Sequence, residues 1–291
     1  MAKRCQATGL IDMHMHVGRL YTTETEPLTP EFLLEFMDRS GIERAALHPI
    51  ESPEEAHYYV TTEYVLEVCR QHPGRFIPLC NVDPRIGDKN NKQALRARLT
   101  ECKQAGCKGY GEAMSGLAID EERLQNVYAL CGELALPIIF HMDGERNMDE
   151  KGFPRLEHML GEFPDTIFIG HGQHFWAEIS GDVAADQFGG YPTGPIVQGG
   201  SILRLLEQYP NLYADISAGS ALNALTRDRQ FGWRFLERFQ DKLLFGTDLC
   251  RRVREVPNVA YFVSAGTEGR ISPVAYRKIA RENAIRVFRL D

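Results

Sequence analysis

Short apolar runs alternate with amphipathic stretches from one end of the chain to the other. The runs at residues 9–16, 44–49, 76–83, 107–112, 137–143, 166–172, 212–217 and 243–248 read as strands. Between them, residues 30–40, 53–72, 90–105, 120–134, 153–163, 201–209 and 229–239 carry apolar positions at helical spacing, and 273–289 follows as a last helix. Thr29-Pro30-Glu31 and Ser272-Pro273 place a capping hydroxyl before a proline at the first helical position. Gly41, Gly74 and Gly106 fall just past helical stretches, where a left-handed residue closes the helix. Strict strand–helix alternation implies parallel strands joined by right-handed crossovers, and eight such units close into an α/β (β/α)8 TIM barrel. The competing architecture, an open doubly wound sheet, would put a glycine-rich phosphate turn after the first strand, where this chain has Asp12-Met13-His14-Met15-His16. No repeat, low-complexity tract or linker breaks the pattern, so residues 1–291 are expected to form a single domain.

Two stretches exceed ordinary connections. About forty residues separate the sixth and seventh strands, including the Gly/Pro-rich segment 188–200, and residues 251–271 follow the eighth strand as a loop. Loops after strands lie at the C-terminal face of a barrel, where active sites form. The alternative is a surface excursion between helices.

The ends of the strands carry the chemistry. Alternation along the first strand sets Asp12, His14 and His16 on one face, so two imidazoles stand together as half of a divalent-metal site. The fourth strand ends in Glu112, the fifth in His141 with Asp143 beyond, the sixth in His171 and the eighth in Asp248. A parallel strand buried on both faces has no need of an imidazole or carboxylate at its end. In a barrel these ends converge on one mouth, as a metal site requires. Singly, His141 and His171 also read as satisfied core histidines. Glu112 reads as a ligand, a bridge between two ions or a salt-bridged strand end. Lys108, deeper on the same strand, is a weaker bridging candidate through carboxylation. Asp83 and Asp215 are strand-end orienters or helix-start acids, and His48 ends the second strand, where it can touch substrate. His158, on a helix, and His174, in a loop, are weaker still.

Composition narrows the class without choosing the chemistry. A net charge of -7 and the lack of a basic block argue against a nucleic-acid surface. The longest apolar run, around residues 134–140, is too short for a membrane span and contains Pro137. The first strand starts by about Thr8, which leaves no room for a signal peptide. Seven cysteines without CxxC spacing suggest free thiols, with Cys69, Cys80, Cys102, Cys107 and Cys131 in buried segments. The expectation is a cytoplasmic, reduced protein acting on a small molecule, with no nucleic-acid or membrane partner and with a homo-oligomer left open.

Asp12-x-His14-x-His16, His141, His171 and Phe245-Gly246-Thr247-Asp248 resemble the amidohydrolase superfamily of metal-dependent hydrolases. Within it, the chain is similar to the branch holding aminocarboxymuconate-semialdehyde decarboxylase, resorcylate decarboxylases and lactone hydrolases. The likeness runs through the terminal Glu282-Asn283-Ala284-x-Arg286-Val287-Phe288 segment. The resemblance implies a distorted (β/α)8 barrel with one or two divalent ions, zinc or a similar metal, in its mouth. It implies that His14, His16 and His141 are ligands, that His171 is a ligand or a polariser of the substrate carbonyl, and that Asp248 is ligand and proton shuttle. Glu112 matches members with a glutamate on the fourth strand, whereas decarboxylase relatives often lack it.

Such a site can hydrolyse an amide, ester or lactone through an activated water, with Asp248 as general base and then general acid. The same residues can serve a non-oxidative decarboxylation. A barrel that binds metal or ligand without turnover is the third reading. Arg251, Arg252 and Arg254 follow Asp248, and an arginine there can clamp a substrate carboxylate. Phe175, Trp176 and Tyr191 can wall an apolar or ring-shaped substrate. Each of these also reads as ordinary surface or packing. A small organic acid, sugar lactone or aromatic acid fits best.

Overall fold

The computed structural model describes residues 9–19, 26–87, 92–184 and 187–291. Strands β1 (Leu10–Met15), β2 (Ile42–Leu47), β3 (Phe76–Pro78), β4 (Tyr110–Ala113), β5 (Ile138–His141), β6 (Phe168–His171), β7 (Leu212–Asp215) and β8 (Leu243–Leu244) follow in chain order. Every neighbouring pair is parallel, in two sheets of order β1-β2-β3 and β4-β5-β6-β7-β8. The seams are closed as well. Cys80 pairs with Tyr110 and Met15 with Leu249, both parallel. Across the second seam Met13 N donates to Phe245 O at 2.9 Å and Asp248 N to His14 O at 2.7 Å. The result is the (β/α)8 barrel.

Helices α1 (Pro30–Ser40), α2 (Thr62–Gln71), α3 (Gln93–Gln104), α4 (Glu122–Leu134), α5 (Pro154–Glu162), α6 (Gln173–Ala177), α7 (Ser201–Gln208), α8 (Ala218–Thr226), α9 (Arg229–Arg238), α10 (Pro257–Thr267), α11 (Pro273–Arg277) and α12 (Asn283–Phe288) cover the outside. Thr29 and Ser272 cap α1 and α11 as their sequence foretells, accepting from Phe32 N and Ala275 N. Several expectations need correction. The stretch 53–72 is a 3-10 turn, Pro53–Tyr58, followed by α2, because Thr61 starts a new helix by accepting from Tyr64 N. Residues 251–271 are not a plain loop but hold α10. The short helices α6 and α8, which open directly after the sixth and seventh strands, escape sequence reading. The final helix is interrupted by a π turn at Lys278–Glu282. Residues 90 and 91 of the expected third helix, and Thr8, lie outside the described residues. No helix among the described residues is long and apolar enough to cross a membrane.

The core has two parts. The larger packs the outer faces of the strands against the helices and holds the buried Cys69, Cys80, Cys102, Cys107 and Cys131. The smaller joins Ile11, Met13, Ala46, Ile77, Leu79, Ile139, Ile169, Tyr213 and Leu244, one or two from seven strands, which meet only in the barrel lumen. Ala284, Val287, Phe288 and Leu290 complete it, so the C-terminal helix plugs the end of the lumen away from the strand C-termini. Gly109 makes room for that plug: a Cβ there would stand 2.7 Å from the Phe288 ring and 3.0 Å from Pro137 O. The floor is thus sealed, and the strand C-termini form the open mouth. Phe288 is 2% exposed, so Phe288→Ala is expected to lower stability by about 3–5 kcal/mol. A shifted urea midpoint measures this, and an unchanged midpoint contradicts the plug.

Candidate metal centre

β1 loses register against β2 between Asp12 and Met15, which separates Asp12 from the two histidines after it. The Asp12 carboxylate does not join them. Its Oδ1 accepts from His14 N and Thr247 N, each at 3.0 Å, and its Oδ2 accepts the Thr247 hydroxyl at 2.6 Å. Burial raises the Asp12 carboxyl to about 7 against the opposing hydrogen bonds from Thr247 and His14. Asp12 therefore joins the first strand to the turn after the last, and that join fixes Asp248 near His16, with Asp248 Oδ1 3.2 Å from His16 Nε2.

Glu112, 3% exposed, stands among four imidazoles. Its Oε2 lies 3.4 Å from His14 Nε2 and 3.5 Å from His16 Nε2. Its Oε1 lies 2.9 Å from His141 Nδ1 and 3.6 Å from His171 Nε2. Asp248 adds Oδ1 at 3.7 Å from His14 Nε2 and Oδ2 at 3.9 Å from His171 Nε2. Three overlapping triads result, His14–His16–Glu112, Glu112–His141–His171 and His14–His171–Asp248, each with its ligand atoms within 4.8 Å of one another. All six residues that the strand ends single out are brought together.

A second layer orients them. Asp215 is fully buried, its Oδ2 2.6 Å from His14 Nδ1 and its Oδ1 3.1 Å from His171 Nδ1. With each Nδ1–H donated to Asp215, both Nε2 atoms turn their lone pairs to the cluster, the tautomer a cation needs. Ser217 donates its hydroxyl to Asp215 Oδ1 at 2.5 Å. Asp143 Oδ2 takes the same part at His141 Nε2, 3.1 Å away, and is itself held by Arg146 Nη1 at 2.9 Å. Glu55 holds the other side of that guanidinium.

The electrostatics fit the same picture. Burial would lower the His14 imidazolium, but Asp215 and Glu112 outweigh it and hold its pKa well above the usual value. Burial likewise opposes charge on His141, yet Asp143 and Glu112 carry it to about 10. Against burial, His14 and His141 keep Glu112 well below the usual carboxylate range, and His171 and His14 do the same for Asp215. His14 Nε2 is nevertheless buried without a hydrogen-bond partner. A buried imidazole nitrogen without a hydrogen-bond partner, facing two carboxylates, matches a divalent-cation donor set. The residues fit the group.

Two cavities open on this cluster. The larger, about 480 Å³, is lined by His141, His171, Tyr191, Asp248 and Arg251 and by the start of α8. The smaller, about 240 Å³, is lined by His16, Tyr58, Glu112, Arg146 and Asp248. Tyr191 and Arg251 thus stand at the mouth as expected. His48 and Trp176 do not line either cavity. His48 is fully buried behind the site, stacked on His14 at 4.2 Å with its Nε2 on Met13 O at 2.9 Å. Trp176 is packed edge-on against Phe175 and Phe235 in the core. Phe175 is buried with it. Arg252 points elsewhere, paired with Glu26 at 2.5 Å and stacked over Phe32. Lys108 lies before β4 and outside the converging set, Asp83 is tied to Arg85, and His158 is exposed. His174 packs against Phe188, with ring centroids 4.2 Å apart and the planes tilted. Arg146 and Gln173, both facing the cavities, have no strand-end position to mark them in the sequence.

A barrel whose mouth gathers imidazoles and carboxylates defines a class of metal-dependent enzymes. The sequence model described as amidohydrolase matches residues 11–290, so the chain belongs to the amidohydrolase family. It is an enzyme of that superfamily, for which a divalent metal is the supported cofactor. No curated protein sequence matches it. Solved structures similar to it include an uncharacterized TIM-barrel protein from Bordetella bronchiseptica, at 20% identity and TM-score 0.69, covering 97% of this chain and 99% of that one. A probable 2-pyrone-4,6-dicarboxylic acid hydrolase from Acinetobacter baumannii, with citric acid bound, follows at 13% identity and TM-score 0.62, with 97% and 99% covered. A 5-carboxyvanillate decarboxylase from Novosphingobium aromaticivorans, complexed with manganese, has 15% identity and TM-score 0.60, with 98% and 97% covered. These likenesses carry the fold.

Asp215→Asn is expected to weaken divalent-metal retention about 10- to 100-fold through loss of the imidazole anchor, read by competition with a chelator. Retention equal to the parent protein contradicts the orienting role. Because carboxylates hold protons on His14 and His141 in the metal-free protein, cation uptake must displace them. Affinity should fall about tenfold per pH unit for each displaced proton as pH is lowered. Proton release on titration with metal in weak buffer measures it, and uptake without release contradicts it.

Proposed function

We propose that this enzyme is a metal-dependent hydrolase that cleaves an amide, ester or lactone bond in a small carboxylate-bearing substrate. The observation that carries the reading is the division of Glu112, with Oε2 toward His14 and His16 and Oε1 toward His141 and His171. That arrangement suits a carboxylate bridging two ions, a pattern associated with hydrolytic chemistry. His14, His16 and Asp248 would hold one ion, His141 and His171 the other, and Glu112 both. The imidazole-rich donor set suits zinc. A divalent cation bound there supplies Lewis acidity, lowering the pKa of water toward about 7 and polarising a carbonyl.

The protein's own residues perform the proton transfers. Asp248, with 22% of its side chain exposed, borders both cavities. It accepts the proton of the attacking water and delivers it to the leaving nitrogen or oxygen. Its backbone N–H, donated to His14 O at 2.7 Å, keeps the carboxylate from drifting. His171, with its Nδ1 proton engaged by Asp215, acts as a ligand rather than a polariser of the carbonyl. Tyr191 and Arg251 face the larger cavity and suit the body of an organic acid.

Metal analysis of protein purified without chelator is expected to give about two ions per chain, falling in His14→Ala and His141→Ala. One ion per chain would make Glu112 a substrate-side residue. Asp248→Asn should lower hydrolysis of a panel of esters, lactones and amides by about 10²–10⁴ with metal content kept. Release of CO2 from candidate aromatic acids, without ring opening or ester cleavage, would instead establish the decarboxylase reading.

A further inference from the structure

The imidazoles of the cluster are anchored in two different ways. His14 and His171 share Asp215, which is fully buried at the end of β7. His141 instead faces a residue of the loop after β5, with its Nε2 3.1 Å from Asp143 Oδ2. That carboxylate is itself held in place. The amides of Glu145 and Arg146 donate to its Oδ1 at 2.7 and 2.8 Å, and Arg146 Nη1 donates to its Oδ2 at 2.9 Å.

Glu55 extends the chain from another loop. It lies on the 3-10 turn Pro53–Tyr58 after β2, is 1% exposed, and accepts from Arg146 Nε across 91 positions of sequence. Tyr58, on the same turn, donates its hydroxyl to Glu55 and lines the smaller cavity beside Arg146. The adjacent Glu54 serves a different partner: it accepts from Arg85 Nη1 at 2.6 Å and Nη2 at 2.8 Å, and lies outside the converging ligand set.

A buried carboxylate needs a cation beside it, and an ion pair that only seated the turn would need nothing more. Here the guanidinium is divided, Nε to Glu55 and Nη1 to Asp143. Its planar fork is rigid, so fixing one edge fixes the other. The place of Asp143 then sets the direction in which the His141 ring turns Nδ1 toward Glu112, 2.9 Å away.

We propose that Glu55 is a positioning residue of the metal centre: through Arg146 and Asp143 it fixes His141, so that the ion at His141 and His171 depends on the docking of two loops, whereas the ion at His14, His16 and Asp248 does not. The inference rests on the hydrolase reading only in dividing the ligands between two ions.

The test loads the full-length protein with Co2+, whose visible spectrum reports its ligands, and withdraws the metal with a chelator. Glu55→Gln is expected to weaken one of the two ions about 10- to 100-fold and to change its spectrum, with the other ion unaltered. Glu54→Gln, an equal change of charge on the same turn, should alter neither. Arg146→Lys keeps a cation but cannot span both acids; it should reproduce the loss, and it decides the matter if Glu55→Gln does not fold. In the Arg146→Lys background Glu55→Gln should add nothing. Equal weakening of both ions, the same loss in Glu54→Gln, or an unchanged affinity and spectrum in Glu55→Gln and Arg146→Lys overturns the positioning role. A parent protein that binds a single ion removes the two-ion reading. Weaker retention of that ion in Glu55→Gln, but not in Glu54→Gln, then keeps the role of Glu55, and equal retention overturns it.

Discussion

The structure depends on one buried join. Asp12 binds the backbone amide of His14, two residues on, together with the amide and hydroxyl of Thr247, 235 positions away. Together with the backbone bonds Met13 N–Phe245 O and Asp248 N–His14 O, that carboxylate ties the first strand to the turn after the last and holds the imidazoles of β1 near the carboxylate of Asp248. Its environment is dry enough to oppose ionisation, so the three donors are needed to keep an acid there at all. The join is both mechanical and chemical: Asp12 and Thr247 complete the wall within two residues of His14 and Asp248, members of the candidate metal centre.

Around it the site is a balance of opposite charges in a low-dielectric setting. His14 lies between Asp215 and Glu112, and His141 between Asp143 and Glu112. Neither acids nor imidazoles would tolerate such burial alone. In the absence of a cation each stabilises the other, and with one bound the same acids become ligand or anchor. Arg146 extends the balance outward, since it holds Asp143 and is held by Glu55. Rigid placement of the inner donors thus depends on partners three or four residues removed from any ion.

How much of this was legible follows from what a sequence records. Alternation of apolar runs and amphipathic stretches announced the barrel, because each strand must bury both faces and each helix one. The ligand candidates stood out because His14, His16, Glu112, His141, His171 and Asp248 occupy strand ends where packing asks for nothing polar. Their second layer did not stand out. Asp215 reads equally as a helix-start acid, and only the fold shows that its two oxygens reach His14 and His171. The position of His48 at the end of a strand does not reveal the His14 ring stacked over it. Of the two readings open to Trp176, packing prevails, because proximity in sequence to His171 says nothing about which way a short helix turns. Helices α8 and α10 escaped that alternation, since α8 is nine residues of mostly small side chains and α10 lies within the stretch read as a loop.

The plug at the barrel floor carries an implication for solute traffic. Ala284, Val287, Phe288 and Leu290 fill the lumen beneath the site, while both cavities that reach the imidazoles open at the opposite rim. Arrival and departure then share one doorway, so whatever occupies it delays the next visitor.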